Sequence, residues 1–386
     1  MDFDLQWVLL GLPVAFALGW MASRLDLRQW RREQRDSPKA YFKGLNFLLN
    51  EQQDKAIDAF IEAVQHDPDT SDLHFALGNL FRRRGEIERA VRVHEHLLHR
   101  ADLPAAERDR AQHGLAQDYM KAGLFDRAEE AWKALEGTAF DTEARLALLT
   151  LHERSRDWRA AVEDATKLDR SGGTGSYASR IAHYWCELAQ EADAKGQAAD
   201  ADEALRKARE AAPQAARPLV LAGQRARAAG HHAQALDAWR QLMVMHPQAF
   251  ALVARDFADS ARQTGDLDGA LNELRGLYEK LPSLDLLSAI NQLDADAGAQ
   301  RSRVSDHLKS HPSLSAAREL LKLRTAERGV SEDPDVRSIE SAIAHAAKPL
   351  QRYRCAACGF EAQNYFWQCP GCLSWDSYPT QRLEDL

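Results

Sequence analysis

Cysteine is scarce and local in this 386-residue chain: of five, four fall in two CxxC pairs near the C-terminus and one stands alone. That pattern excludes a spread-out disulfide framework and suits a reducing compartment. Excess positive charge is also lacking. The formal net charge is −8, which argues against non-specific nucleic-acid binding as the main task. The signatures of hydrolase and nucleotide chemistry are missing: there is no G-x-S-x-G, no GxxxxGK[ST], and no GxGxxG after a strand. Scattered carboxylates do not make a catalytic pair, so no enzyme is expected. His94-Glu95-His96 with His99 fails the metalloprotease HExxH spacing, because Leu98 stands where the second His should be. It reads as a solvated helix face.

What is present is a repeat. Residues Ala216 to Pro247 read ARPLVLAGQRARAAGHHAQALDAWRQLMVMHP. Counted from Ala216, Gly223 falls at position 8, Gly230 at 15, Ala235 at 20, Trp239 at 24, Leu242 at 27 and Pro247 at 32. Two amphipathic helices meet at Gly230, where glycine permits the turn, and proline closes the second helix. Small residues at positions 8 and 20 allow the helices to touch. This is similar to the tetratricopeptide pattern, with a period of about 34 residues. Further units are marked by Gly44, Ala56 and Phe60, by Gly78 and Ala90, and by Ala116, Ala128 and Trp132. A weaker one lies around Trp158 and Ala161. Two more have Ala189, Ala201 and Leu205, then Ala258, Ala270 and Leu274. One helix pair cannot bury its own apolar face, so the fold expected over residues 37–330 is an all-α solenoid of about seven or more helix pairs. Ser171 to Ser176 (SGGTGS) is expected to divide it.

In tetratricopeptide arrays, positions 2, 5, 9, 12 and 13 of the first helix line the concave face. That resemblance assigns Arg82, Arg83, Arg110, Lys121, Arg154, Arg217, Arg227, Arg255 and Arg262 to a groove, with Asp72, Glu143, Glu153, Asp193 and Asp259 as its acids. Two readings stay open: a solvated helix face, or a partner-binding groove for an acidic peptide segment or chain-terminal carboxylate, which arginine can bind bidentately. Cys186, at position 5 of its unit, reads as a packed and inert thiol.

At the N-terminus, Leu5 to Met21 (LQWVLLGLPVAFALGWM) just reaches spanning length with Ala22 and Ser23. Trp7 and Trp20 lie near its ends, Asp2 and Asp4 precede it, and Arg24, Arg28, Arg31, Arg32 and Arg35 follow. A cleaved signal peptide has the reverse charge order. Residues 1–23 are therefore expected to be an uncleaved transmembrane anchor, and residues 24–36 a basic juxtamembrane segment. The N-terminus would be periplasmic and the bulk of the chain cytoplasmic.

At the C-terminus, residues 331–350 are expected to hold one helix, Val336 to Ala347, and a linker. Residues 351–386 then carry Cys355-Ala-Ala-Cys358 and Cys369-Pro-Gly-Cys372, with ten residues between the inner cysteines. Two such knuckles close a tetrahedral four-cysteine site for one metal ion, iron or zinc. Gly359 and Gly371 are expected to supply the turns. Phe360, Tyr365, Phe366, Trp367 and Trp375 are expected to give this small domain its apolar content. The spacing is similar to that of a rubredoxin or a short zinc ribbon.

Anchor, array and four-cysteine end together resemble the lipopolysaccharide assembly protein B family of Gram-negative inner membranes, most specifically in YRCAACGF, WQCPGC and Trp375. The resemblance implies an inner-membrane adaptor that promotes turnover of the lipid A deacetylase by the AAA+ protease FtsH and gathers other lipopolysaccharide enzymes. Whether the chain forms a homo-oligomer is left open. Two other readings compete: an electron-transfer protein of rubredoxin type, and an assembly factor for another membrane complex.

Overall fold

The computed structural model describes residues 13–21, 42–66, 70–170, 176–328 and 333–385. Within them the chain falls into two compact units, Met1–Asp157 and Trp158–Leu386. In the first, helices pair in sequence: 42–49 with Gln53–His66, Ser71–Arg84 with Ile87–His99, Ala105–Ala122 with Phe125–Lys133, and then Asp141–Ser155. The second unit begins with Trp158–Arg170. It continues with Ala178–Ala194 and Ala198–Ala211, Ala216–Ala228 and His232–Met245, the short Pro247–Phe250, and Ala254–Thr264 and Leu267–Lys280. Leu284–Leu293, Ala297–Ser310, Leu314–Arg328 and Pro334–Ala347 complete its helices. A two-residue hairpin, β1 Tyr353–Arg354 against β2 Glu361–Ala362, opens the terminal domain. The helical pairing thus runs past His311-Pro312, where the repeat consensus fades.

The repeat positions explain the packing. Ala56, Ala90, Ala128, Ala201, Ala235 and Ala270, all at position 20, are fully buried. Position 8 is small for a more specific reason: it faces the ring at position 24 of its own unit. A Cβ on Gly223 would collide with the Trp239 indole, whose Nε1 donates to the Val220 carbonyl at 3.4 Å. A Cβ on Gly78 would lie 2.7 Å from the His94 ring. The turn between helices takes the left-handed conformation, with φ +77° at Gly230 and +59° at Arg156. A non-glycine residue there explains why the fourth unit is hard to recognise in sequence.

His94 corrects an expectation. It is 1 % exposed, not solvated, because it occupies the position held by Phe60 and Trp239 in other units. Its Nδ1 lies 2.6 Å from Asp118 Oδ2. Arg82 Nη1 donates to Asp118 Oδ1 at 2.8 Å and to the Gly114 carbonyl at 2.9 Å. The buried Asp118 carboxylate is thereby paired and hydrogen-bonded, which burial of a charge requires, and three successive helices are tied together.

The division between units also differs from expectation. It falls at Asp157/Trp158, ahead of 171–176, because Trp158 stacks on Tyr184 at 5.9 Å and so carries its helix into the second unit. Residues 171–175 lie outside the described residues. So do most of the expected anchor (1–12, 22 and 23) and the arginines at 24–35. Among the described residues no helix is long and apolar enough to cross a membrane. The part of the anchor that is described, 13–21, is helical, with Val14, Phe16, Leu18 and Met21 exposed.

Gly223→Ala is expected to destabilise the array by about 1–3 kcal/mol through overpacking against Trp239. Thermal melting by circular dichroism checks this; an unchanged midpoint would show that the ring can swing aside.

Candidate metal centre

The two knuckles are built alike. In each, the carbonyl of the first cysteine accepts a backbone N–H four residues on, Gly359 N to Cys355 O at 2.9 Å and Leu373 N to Cys369 O at 2.8 Å. The residue after the second cysteine is left-handed in both: Gly359 at φ +77° and Leu373 at φ +61°. Leu373, not Gly371, therefore makes the second turn; a Cβ on Gly371 would make ordinary contact with Phe360. The hairpin and a bridge between Gln368 and Trp375 hold the knuckles face to face.

All four sulfurs lie within 4.8 Å of one another. Cys355 Sγ is 3.8 Å from Cys372 Sγ, and Cys358 Sγ is 3.7 Å from Cys369 Sγ. A tetrahedron with metal–sulfur bonds of about 2.3 Å has edges of about 3.8 Å, so the donor set fits one ion. The surroundings favour the thiolate, the form that binds metal, at Cys355 and Cys372, whereas at Cys358 the Phe360 amide is outweighed by burial and the neighbouring sulfurs, which push the thiol up to about 12. Burial pushes the Cys355 thiol up, but the Ser377 hydroxyl and the Cys358 and Ala357 amides outweigh it and bring it down to about 6. The Ser374 hydroxyl and amide hold Cys372 below its ordinary value. Cys355, Cys358, Cys369 and Cys372 could thus hold one ion with no position left for substrate. When bound, such an ion supplies folding energy rather than catalysis. The fifth cysteine, Cys186, is fully buried, and burial pushes its thiol up to about 12, as an inert packed group requires.

The terminal domain does not use its aromatics as expected. Trp375 faces the helices of the second unit instead of an internal core. It stacks on His183 at 4.7 Å and meets Tyr184 and Trp158 edge-on at 5.8 and 6.1 Å. Beside it, the Asp376 carboxylate accepts from His183 Nε2 at 2.8 Å and from the Ser179 hydroxyl at 3.1 Å. Trp367 packs against the largest apolar core of the array, and Phe360 and Phe366 are exposed. Further along, Arg382 reaches Asp285 at 3.1 Å and Gln351 donates to the Ser315 hydroxyl at 2.8 Å. Glu384 accepts from the Ser315 amide at 2.9 Å and from its hydroxyl.

This docking redefines the groove. Arg217 is 4 % exposed, lying under Trp375 and Trp367 and held by Glu187 at 2.6 Å and Gln190 at 3.1 Å; it is not open to a partner. Arg82 points inward to Asp118 and is also unavailable. Arg227 pairs with Asp256 and Asp259 at 3.0 and 3.5 Å, and Arg262 donates to the Gln292 carbonyl. Arg110 pairs with Asp72 at 2.8 Å and covers Phe75. Arg83 is exposed with no ion pair among the described residues, and Arg255 is 64 % exposed, 3.7 Å from Asp285. Sequence reasoning missed His183 and Asp376. The available signal was a tryptophan and an aspartate directly after the last knuckle, in a domain too small to bury both.

Changing the second cysteine of each knuckle, Cys358→Ser with Cys372→Ser, is expected to abolish metal content, measured by mass spectrometry, and to shift Trp375 fluorescence as the domain unfolds. One ion per chain in that variant would rule the site out. Asp376→Ala, which leaves His183 buried without its partner, should cost about 1–2 kcal/mol in thermal stability of the second unit.

A family model described as a rubredoxin metal binding domain of zinc-ribbon type matches residues 353–378. Among solved structures, the chain is similar to a tetratricopeptide repeat protein from Parabacteroides merdae, at 13 % identity and a TM-score of 0.34, covering 67 % of this chain and 99 % of that one. It is 27 % identical to Lipopolysaccharide assembly protein B of Haemophilus influenzae, with 97 % of each chain covered. It is 31 % identical to Lipopolysaccharide assembly protein B of Escherichia coli K12 over 399 aligned residues, covering 99 % of this chain and 100 % of the relative. At that identity across the full length of both chains, this protein belongs to the lipopolysaccharide assembly protein B family.

Proposed function

We propose that the chain is a membrane-tethered adaptor in lipopolysaccharide synthesis, which brings the lipid A deacetylase to an FtsH-type protease and gathers other lipopolysaccharide enzymes at the membrane. The observation that carries this reading is the full-length similarity to Lipopolysaccharide assembly protein B, on a helical-repeat scaffold of the kind used to bind other proteins. The apolar side chains exposed along 13–21 support the tether, since they have no place in water. The four-cysteine end supports a structural role, because all its ligand positions are taken by protein sulfurs.

An adaptor acts by raising effective concentration, so tether and binding surface must belong to one molecule. Arg83, Lys121, Arg154 and Arg255, together with Arg110 beside Asp72, are the predicted groove cations that remain exposed, and they are the candidate contacts to partner carboxylates.

Removing residues 1–22 is expected to leave a folded, metal-loaded protein that fails in the cell. The deacetylase, followed by immunoblot at native expression, should rise to the level of a strain lacking the chain. Normal deacetylase levels with the truncated protein would sink the tethered-adaptor reading.

A further inference from the structure

A second site lies where the terminal domain meets the last helices. A cavity of about 810 Å³ opens there. Its walls come from the helices Ala254–Thr264, Leu284–Leu293 and Leu314–Arg328, from the segment after Ala347, and from the metal-knuckle domain itself. Arg255, Arg318, Lys322, Lys348 and Arg382 all line it, and Glu319 is the only carboxylate among the lining residues.

Carboxylates just outside the lining, Asp285, Asp385 and the Glu384 held on Ser315, offset part of this charge. Asp285 is shared between Arg382, at 3.1 Å, and Arg255, at 3.7 Å. Glu319 reaches Lys322 only at 4.0 Å. Lys348 and Arg318 make no ion pair among the described residues, and the buried Nε of Arg318 has no hydrogen-bond partner. A net-positive pocket on a chain of net charge −8 concentrates anions by field alone. The remaining wall is amide and hydroxyl: Gln351, Gln363, Asn364 and Ser288. These groups hydrogen-bond a hydroxyl-rich ligand.

We infer that this junction is a binding site for a small phosphorylated molecule, a phosphomonoester or diphosphate carried on a polar, sugar-like body. Several converging cations match a multiply charged phosphate better than a single carboxylate, and guanidinium forks bind phosphate oxygens bidentately. A peptide ligand needs apolar anchor pockets or a free strand edge; Leu284 is the one aliphatic side chain among the lining residues. The wall is contributed jointly by the array and the terminal domain, so the site exists only while the two are docked.

The inference stands apart from the adaptor reading, because its readout is binding by the purified chain. Full-length protein in detergent is titrated calorimetrically with inorganic pyrophosphate and with glucosamine 1-phosphate, and unphosphorylated glucosamine serves as the blank. Binding of both phosphates, weakened about tenfold or more by Arg318→Gln with Lys348→Gln and by raised salt, is the expected result. Arg206→Gln, away from the cavity, should bind like the parent, and unchanged metal content and melting confirm that the double variant folds. Flotation with phosphatidylcholine vesicles containing phosphatidic acid identifies the source: capture that pyrophosphate competes away assigns the phosphate to a lipid headgroup, and titration without capture assigns it to a soluble molecule. No heat with either phosphate at millimolar concentration would overturn the inference. So would equal binding by the double variant, or occupancy by an acidic peptide that pyrophosphate does not displace.

Discussion

A ring set over a small residue is the contact on which this array depends. Where position 24 carries a ring, as at Phe60, His94, Trp132 and Trp239, it needs a partner without a Cβ, or with only one, to lie against. Gly223 under Trp239 and Gly78 under His94 show how little room is left. Phe60 closes against Gly44 in the same way. Because a helix pair has apolar surface on both sides, each interlock exposes a face that only the next pair can cover. Burial therefore propagates along the chain, and the core takes the form of successive clusters, one of which runs from Leu219 to Ile290.

Charge follows the same one-dimensional logic. Many arginines find their carboxylates about one repeat away: Arg110 with Asp72, Arg217 with Glu187, Arg225 with Asp193, and Arg240 with Glu273. An exposed pair such as Arg110–Asp72 contributes little stability individually. The consequence of such pairs is functional. A cation already matched by the neighbouring unit has less field to offer a partner, which separates Arg227 from the solvent-facing Arg83. The Arg82–Asp118–His94 group is different in kind: its carboxylate is fully buried, so losing Arg82 would remove its ion pair where water cannot replace it.

The terminal domain combines a staple with a dock. A fragment of its size cannot fold on apolar burial alone, and the four-sulfur cluster answers that need. The same fold then holds Trp375 and Asp376 out towards His183, so the order of the knuckles is transmitted to the array. Asp376 keeps its carboxyl below the ordinary range even though burial pushes it up, because His183 and the Ser179 hydroxyl favour the charged form. The left-handed backbone at Asp376, φ +50°, aims that side chain. Docking covers Arg217 and at the same time creates the cation-lined junction around Arg318 and Lys348.

Much of this was legible in the sequence, because it is local. A glycine or alanine twelve residues before the next small position, a large residue four further on, and CxxC knuckles ten residues apart all report constraints within one helix pair or one turn. They identify the repeat, the helix boundaries and the four cysteines that could hold a metal ion. What the sequence could not show depends on which distant surfaces meet. His94 looked solvated until its position within the repeat placed it over Gly78. Trp375 looked like core for its own domain until the domain was seen against Trp158 and His183. The tetratricopeptide resemblance assigns Arg217 to an open groove, but it is covered by the chain's own C-terminal residues, about 150 positions away. Periodicity determines which side of a helix points inward; only the folded chain decides what stands opposite it.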